Sequence, residues 1–97
     1  HPSKYIFMYL NEIFGALTDP TRLKIVKLLS RKDLAASELG EHFDITAPSL
    51  SHHLSTLMQA GLILQERQGR WLVYSLKKGV LDKAADQLRL IGQKSKK

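Results

Sequence analysis

The residues best equipped for chemistry in this chain fall in one short stretch, Thr46-Ala47-Pro48-Ser49-Leu50-Ser51-His52-His53. Adjacent histidines can ligate a metal, move a proton, or hydrogen-bond a polar surface such as nucleic acid. Helical geometry separates these two. At about 100° per residue, with Leu50 at zero, Leu54, Leu57 and Met58 fall at roughly 40°, −20° and 80°, an apolar stripe centred near 30°. His52 lies at about 200°, opposite that stripe, with Pro48, Ser49, Ser55, Thr56 and Gln59 spread around it, whereas His53 lies at about −60°, on the stripe's edge. The rings point about 100° apart, while helical metal pairs sit at i and i+4. His53 is therefore expected to be half-buried, hydrogen-bonded to a backbone carbonyl or a neighbouring side chain, with His52 facing outward.

A face of Ser, His, Thr and Gln carries no strong charge but many donors and acceptors, which suits base edges in a DNA major groove. The N-terminal half of the helix does most of the reading in that mode, so Ala47, Ser49, Ser51 and His52 are the expected base readers. Thr46, Arg67, Arg70 and Arg22 are the expected contacts to the DNA backbone, with Lys24 and Lys27 as further candidates; for Arg22, Lys24 and Lys27 a plain solvated face is the competing reading. Arg67 and Arg70 flank a turn from which long cations reach phosphates or a minor groove. Trp71 and Tyr74 are expected to pack between strands or in the core. Asp82 and Asp86 stand at i and i+4, but two carboxylates alone make a weak transition-metal site, so they read as solvated acids. No nucleophile–base pair, phosphate loop or carboxylate dyad occurs at useful spacing, and the chain does not read as an enzyme.

The elements that carry these residues follow from periodicity and caps. Tyr5–Leu17 is helical in spacing, with Ile6, Phe7, Leu10, Ile13, Phe14 and Leu17, and Met8 and Tyr9 widen its stripe almost to the whole circumference. A helix apolar nearly all round buries more than one face, and in a chain this short the second face is expected to meet another subunit. Thr18-Asp19-Pro20 ends it and starts a second helix running to about Leu29 and partly burying Leu23, Ile25, Val26, Leu28 and Leu29. Leu34-Ala35 reads as a short strand, and a third helix spans about Ala36 to Phe43. Thr46 caps a fourth helix, with Pro48 in its first turn and Gly61 as its stop. The run Leu62–Arg67, the loop Gln68-Gly69-Arg70 and the run Trp71–Leu76 form a hairpin. Gly79-Val80 opens a last helix with Leu81, Ala84, Ala85, Leu88 and Ile91 on one stripe.

This order is mainly α with a small β-hairpin: a winged helix-turn-helix of about five helices plus a two-stranded wing. It reads as a single domain over 1–97, with the helix-turn-helix at 36–60, the wing at 62–76, helices at 5–17 and 80–92 for dimerisation, and a basic tail at 93–97. The interface residues expected from the terminal helices are Ile6, Leu10, Ile13, Leu81, Ala84, Ala85 and Leu88.

Composition limits the alternatives. Ninety-seven residues with 43% hydrophobic and 25% charged content suit one globular domain. Cysteine is absent, which removes disulfides, thiolate metal sites and thiol redox chemistry. The net charge of +6 favours a polyanionic partner, although Lys94, Lys96 and Lys97 at the end read as a solvated tail. No membrane insertion or secretory leader is expected, and the location read from the sequence is cytoplasmic.

The segments FGALTDPTRLKIVKLL, SELGEHFDITAPSLSHHLSTLMQAGLI and ERQGRWLVYSL together resemble the ArsR-type winged-helix repressors over roughly Leu10 to Leu76. The PSLSHHL stretch is similar to that of the SdpR-like autorepressor branch. The resemblance implies a homodimer paired through its first and last helices, two recognition helices in successive major grooves about 34 Å apart on a palindromic operator, and a regulatory protein partner. Where thiolate metal sensors of the family carry cysteines, this chain has Asp33-Leu34-Ala35-Ala36-Ser37, and its closing helix lacks the histidines of the family's zinc site. No metal and no cofactor are therefore expected. A winged-helix module that binds protein rather than DNA, or a repressor that senses an organic ligand, are the alternatives.

Overall fold

The computed structural model describes the backbone of residues 2–93 and side chains from Tyr9 to Gln93. Its elements run α1 (Pro2–Leu17), α2 (Pro20–Leu29), β1 (Leu34–Ala35), α3 (Ala36–Gly40), α4 (Ala47–Gln59), β2 (Ile63–Gln68), β3 (Trp71–Leu76) and α5 (Val80–Gly92). Five helices and a wing are the expected winged helix-turn-helix, with one change. The sheet has three strands in the order β1-β3-β2, all antiparallel, with Leu34 opposite Tyr74 and Ile63 opposite Leu76. β1 thus ties the base of the wing to the start of α3.

Local chemistry sets the helix ends. The Asp19 side chain accepts from the Arg22 backbone N–H at 3.1 Å, and Pro20 occupies the first turn of α2, where no helical N–H is needed. The Thr46 hydroxyl accepts from the Ser49 N–H at 3.2 Å to start α4. Ile45 and Leu50 border one groove across that cap, in the positions of a hydrophobic staple that fixes the angle at which the chain enters the helix. α3 has no polar residue at its cap, but Glu38 reaches back and accepts from the Ala35 N–H at 2.8 Å. It ends at Gly40 rather than Phe43, and the residues between are turn.

At the other end of α4, Gly61 adopts φ 77°, the Gly61 N–H donates to Met58 O at 3.0 Å and the Leu62 N–H to Leu57 O at 3.1 Å. This double bond to the last turn is a Schellman cap, which requires a left-handed residue after the helix. The wing turn is shorter than the expected three residues. Gln68 pairs with Trp71, leaving Gly69 at φ 64° and Arg70, whose φ is negative. That is the pattern of a type II′ hairpin turn, whose twist matches the strands.

The core is continuous from α1 to α5. Ile13, Ile25, Leu39, Leu54, Leu57, Leu62 and Ile63 are fully enclosed, joined by Leu10, Leu29, Leu50, Tyr74, Val80 and Ala84. Three of the residues assigned to a dimer interface from sequence, Leu10, Ile13 and Ala84, lie inside this core at 3%, 0% and 4% exposure. They are correctly apolar, but their own chain covers them, so they offer a second copy no surface. Ile6 lies outside the residues whose side chains are described. Leu23, expected to be partly buried, is exposed at 40%. Among the described residues no helix is long and apolar enough to cross a membrane.

Gly61→Ala puts a Cβ into open space, so its cost is conformational alone. We expect a loss of about 1 kcal/mol in urea unfolding, with Gly61→Asn losing less because Asn tolerates left-handed backbone.

Candidate nucleic-acid interface

The stripe of Leu50, Leu54 and Leu57 is buried against the core, and it turns the opposite side of α4 to solvent. Ala47, Pro48, Ser51, His52 and Ser55 are exposed, and Ser49 is half-buried. The four residues expected to read bases thus start the helix on its open side, with Ser49 least accessible. Thr46 is engaged through its oxygen by the Ser49 N–H, which leaves its hydroxyl hydrogen free to donate outward.

His53 is half-buried, its side chain 16% exposed, and its Nδ1 faces Arg22 Nη1 at 3.2 Å and Asp19 Oδ2 at 3.8 Å. The ring centroids of His52 and His53 are 6.1 Å apart and tilted by 56°. The pair divides into an outward ring and an inward one. Among the described residues no three His, Asp or Glu side chains come together as a metal site. Asp86 accepts two bonds from Arg89 at 2.8 and 2.9 Å on the exposed face of α5.

Arg22 is not a free phosphate contact, contrary to the reading from sequence. Its Nε donates to Ala16 O at 2.7 Å and its Nη2 to Gly15 O at 3.4 Å, while Nη1 faces His53. The guanidinium is committed to the end of α1, where the last carbonyls of a helix have no intrahelical donors. Lys24 is similarly engaged: its Nζ donates to His42 O at 3.0 Å and stands 4.9 Å above the Phe43 ring. The sequence shows Asp19 and Arg22 one helical turn apart, but nothing local connects them to His53, and this cluster was not anticipated.

The wing keeps its charge. Arg67 and Arg70 are exposed on either side of the turn. The Arg70 guanidinium lies over the Trp71 ring at 5.4 Å, a cation–π contact that orders a long side chain at the wing tip. Trp71 is 50% exposed and so does not take the core placement that the sequence suggested for it. It alternates with Leu72 and Tyr74, which take the inner face, and Tyr74 is buried with its hydroxyl accepting from Gln65 Nε2 at 2.7 Å.

On the terminal helices, Leu81 is half-buried and Ala85 and Leu88 are exposed, Leu88 at 47%. Beyond them Ile91 is exposed at 58%, and Phe14 of α1 at 38%.

The family described as bacterial regulatory protein, arsR family, matches residues 19–64, from the α2 cap to the first residues of β2. The chain is 47% identical over 72 residues to the transcriptional repressor SdpR of Bacillus subtilis (strain 168), spanning 74% of this chain and 80% of that protein. It is 38% identical over 82 residues to the arsenical resistance operon repressor of Staphylococcus xylosus, spanning 84% and 79%. Among solved structures, an ArsR-like transcriptional regulator from Rhodococcus sp. RHA1 superposes with a TM-score of 0.81 at 32% identity, covering 89% of this chain and 81% of that one.

The Arg22 backbone N–H, above all, holds the Asp19 carboxyl below its usual range; partial desolvation opposes this, and His53, the Thr21 N–H and the Arg22 charge add to it. A depressed carboxyl stabilises the fold fully above its unfolded value of about 3.9 and loses that contribution as pH falls through the lower folded value. Asp19→Asn keeps a capping oxygen but removes the titration. Thermal melts should therefore show wild type above the variant at neutral pH, with the gap closing as pH falls below the unfolded carboxyl value of about 3.9.

Proposed function

The chain belongs to the ArsR family of bacterial regulatory proteins, a transcriptional regulator rather than an enzyme, and we propose that it represses transcription as a homodimer on a palindromic operator. The observation that carries this reading is the division of labour on the surface: α4 begins with an exposed, uncharged face, and two exposed arginines, Arg67 and Arg70, flank the turn of the wing. Ser51 and His52 offer hydrogen bonds to base edges and Ala47 a methyl contact to thymine, with Ser49 at the flank. Thr46, Arg67 and Arg70 contact the backbone, supplying affinity that depends on salt and not on sequence. Arg22 is removed from this set by its bonds to α1.

A second copy of the chain is supported by the outer half of α5. Leu88 and Ile91 continue an apolar stripe past the chain's own core, and Ala85 and the half-buried Leu81 border it, with Phe14 exposed on α1. Covering such a patch favours association. Leu81, Ala85 and Leu88 remain in the proposed interface, whereas Leu10, Ile13 and Ala84 stabilise the helices that present it. In this reading the whole described chain is one DNA-binding domain in the cytoplasm.

The absence of cysteine in the sequence and of histidine in α5 supports repression without metal input. The likeness to a transcriptional repressor supports repression, and the resemblance of the PSLSHHL stretch to the autorepressor branch motivates an operator upstream of the repressor's own gene and release by a regulatory protein partner.

Fluorescence anisotropy on an operator duplex and a scrambled duplex tests the assignments. His52→Ala should lower operator affinity about tenfold or more and leave scrambled binding nearly unchanged; an equal fall on both would remove His52 from the base readers. Arg70→Ala should weaken both and reduce the slope of log affinity against log salt by about 1. Titrations with zinc and with a chelator should superimpose.

Leu88→Glu places a charge on an already exposed position while Val80 and Ala84 keep α5 docked. Sedimentation should then show a folded monomer with weakened operator binding. A variant that stays dimeric would move the interface away from α5.

A further inference from the structure

The contacts that seat α4 are not all apolar. Arg22 stands on α2, its backbone N–H held by the Asp19 cap at 3.1 Å and its guanidinium anchored on Ala16 O and Gly15 O of α1. Its remaining reach, Nη1, ends at His53 Nδ1, 3.2 Å away. His53 is on α4, next in sequence to His52. One cation thus joins the end of α1, the start of α2 and the middle of the reading helix.

We propose that Arg22 and His53 are positioning residues for DNA reading: their hydrogen bond fixes the rotation at which α4 presents Ala47, Ser51 and His52. The proposal rests on the reading of α4 as the base-reading helix. Arginine has donors and no acceptor, so Nδ1 of His53 must accept, and its ring is neutral with the proton on Nε2. Asp19 Oδ2 at 3.8 Å, from the cap of α2, and the His52 ring on its own helix also face that ring; on α1, Glu12 is the charged group bordering the groove between that helix and α4. A proton added at Nδ1 would point an N–H at a guanidinium that cannot accept it. The bond would be lost, and the ring would be drawn toward Asp19. The latch holds only with His53 neutral.

Its position gives it leverage. The leucine stripe sets which side of α4 is buried, but apolar contact is non-directional and tolerates small rotations. His53 sits at the edge of that stripe, where a hydrogen bond with angular preference resists turning. Side-chain tips lie some 5–6 Å from the helix axis, so a rotation of about 10° shifts an outward donor by about 1 Å, enough to lose a base contact.

The test uses the full chain with His53→Asn and His53→Leu. Asn Oδ1 falls near the place of Nδ1, accepts from Arg22 and takes up no proton; Leu fills the space with no acceptor. An operator duplex selected from random DNA by the wild type, and a scrambled duplex, are titrated at about pH 8 and about pH 5, the window in which imidazoles change charge. Thermal melts monitor folding. We expect His53→Leu to lose about tenfold in the ratio of operator to scrambled affinity, and His53→Asn to keep the wild-type ratio at the higher pH. On acidification the wild-type ratio should fall toward that of His53→Leu, and the His53→Asn ratio should fall less. A wild-type ratio in His53→Leu, a loss in His53→Asn equal to that in His53→Leu, or identical pH profiles for wild type and His53→Asn would overturn the latch. Should His53→Leu fail to fold, the Asn variant and its pH profile decide alone. A wild type that selects no duplex overturns the base-reading function instead.

Discussion

The burial of Leu50, Leu54 and Leu57 along one side of α4 is the constraint on which the rest of the surface depends. Each such side chain contributes about 1.5–3 kcal/mol when taken from water. Together they exceed any single polar contact nearby. They decide that His52 faces solvent and that His53 lies at the half-buried edge, whichever hydrogen bond His53 then makes. The caps then fix the helix's limits: Thr46 at the entrance, Gly61 at the exit. A helix proposed to read bases from its first two turns depends most on the entrance cap, because an uncapped helix end frays.

The distribution of charge follows a second logic. Phosphate contacts supply affinity without discrimination, while neutral donors and acceptors discriminate with little long-range pull. Here the two are kept on different elements, arginines on the wing and serines and histidine on α4. The net charge of +6 overstates what is free to meet DNA. Arg22 is spent on α1 carbonyls and Lys24 on His42 O and the Phe43 ring. Arg70, by contrast, lies over the Trp71 ring without being buried, which would reduce the conformational entropy lost in the proposed phosphate contact.

What was legible in the sequence is what is encoded locally. The Thr46 cap, the Pro20 start of α2, the Gly61 stop and the separation of the two histidines are written in residues close in sequence, and the structure has them. The Arg22–His53 contact spans 31 residues, and the pairing of Leu34 with Tyr74 spans a similar gap; neither has a periodic signal. Trp71 shows a different limit. Its apolar ring suggested packing, but alternation along β3 gives the inner face to Leu72 and Tyr74, and Trp71 falls on the outer one. The start of α3 was obscured because Ala35 has no capping side chain, and the support comes from Glu38 within the helix, which accepts from the Ala35 N–H.

α5 shows why an apolar stripe does not by itself identify an interface. Val80, Ala84, Leu88 and Ile91 recur at helical spacing on a single face, and periodicity treats them alike. The structure divides them by position along the axis. Val80 and Ala84 lie over α1 and the core and are closed by their own chain; Leu88 and Ile91 lie beyond it and are open. An intramolecular contact thus orients the helix, and the same stripe, carried two turns further, presents the surface that a second copy would cover. In the proposed dimer, docking through one end and pairing through the other would let a short chain use one helix for both without a second apolar face. The residues whose loss would separate pairing from folding are therefore those past Ala84, where the stripe leaves its own core.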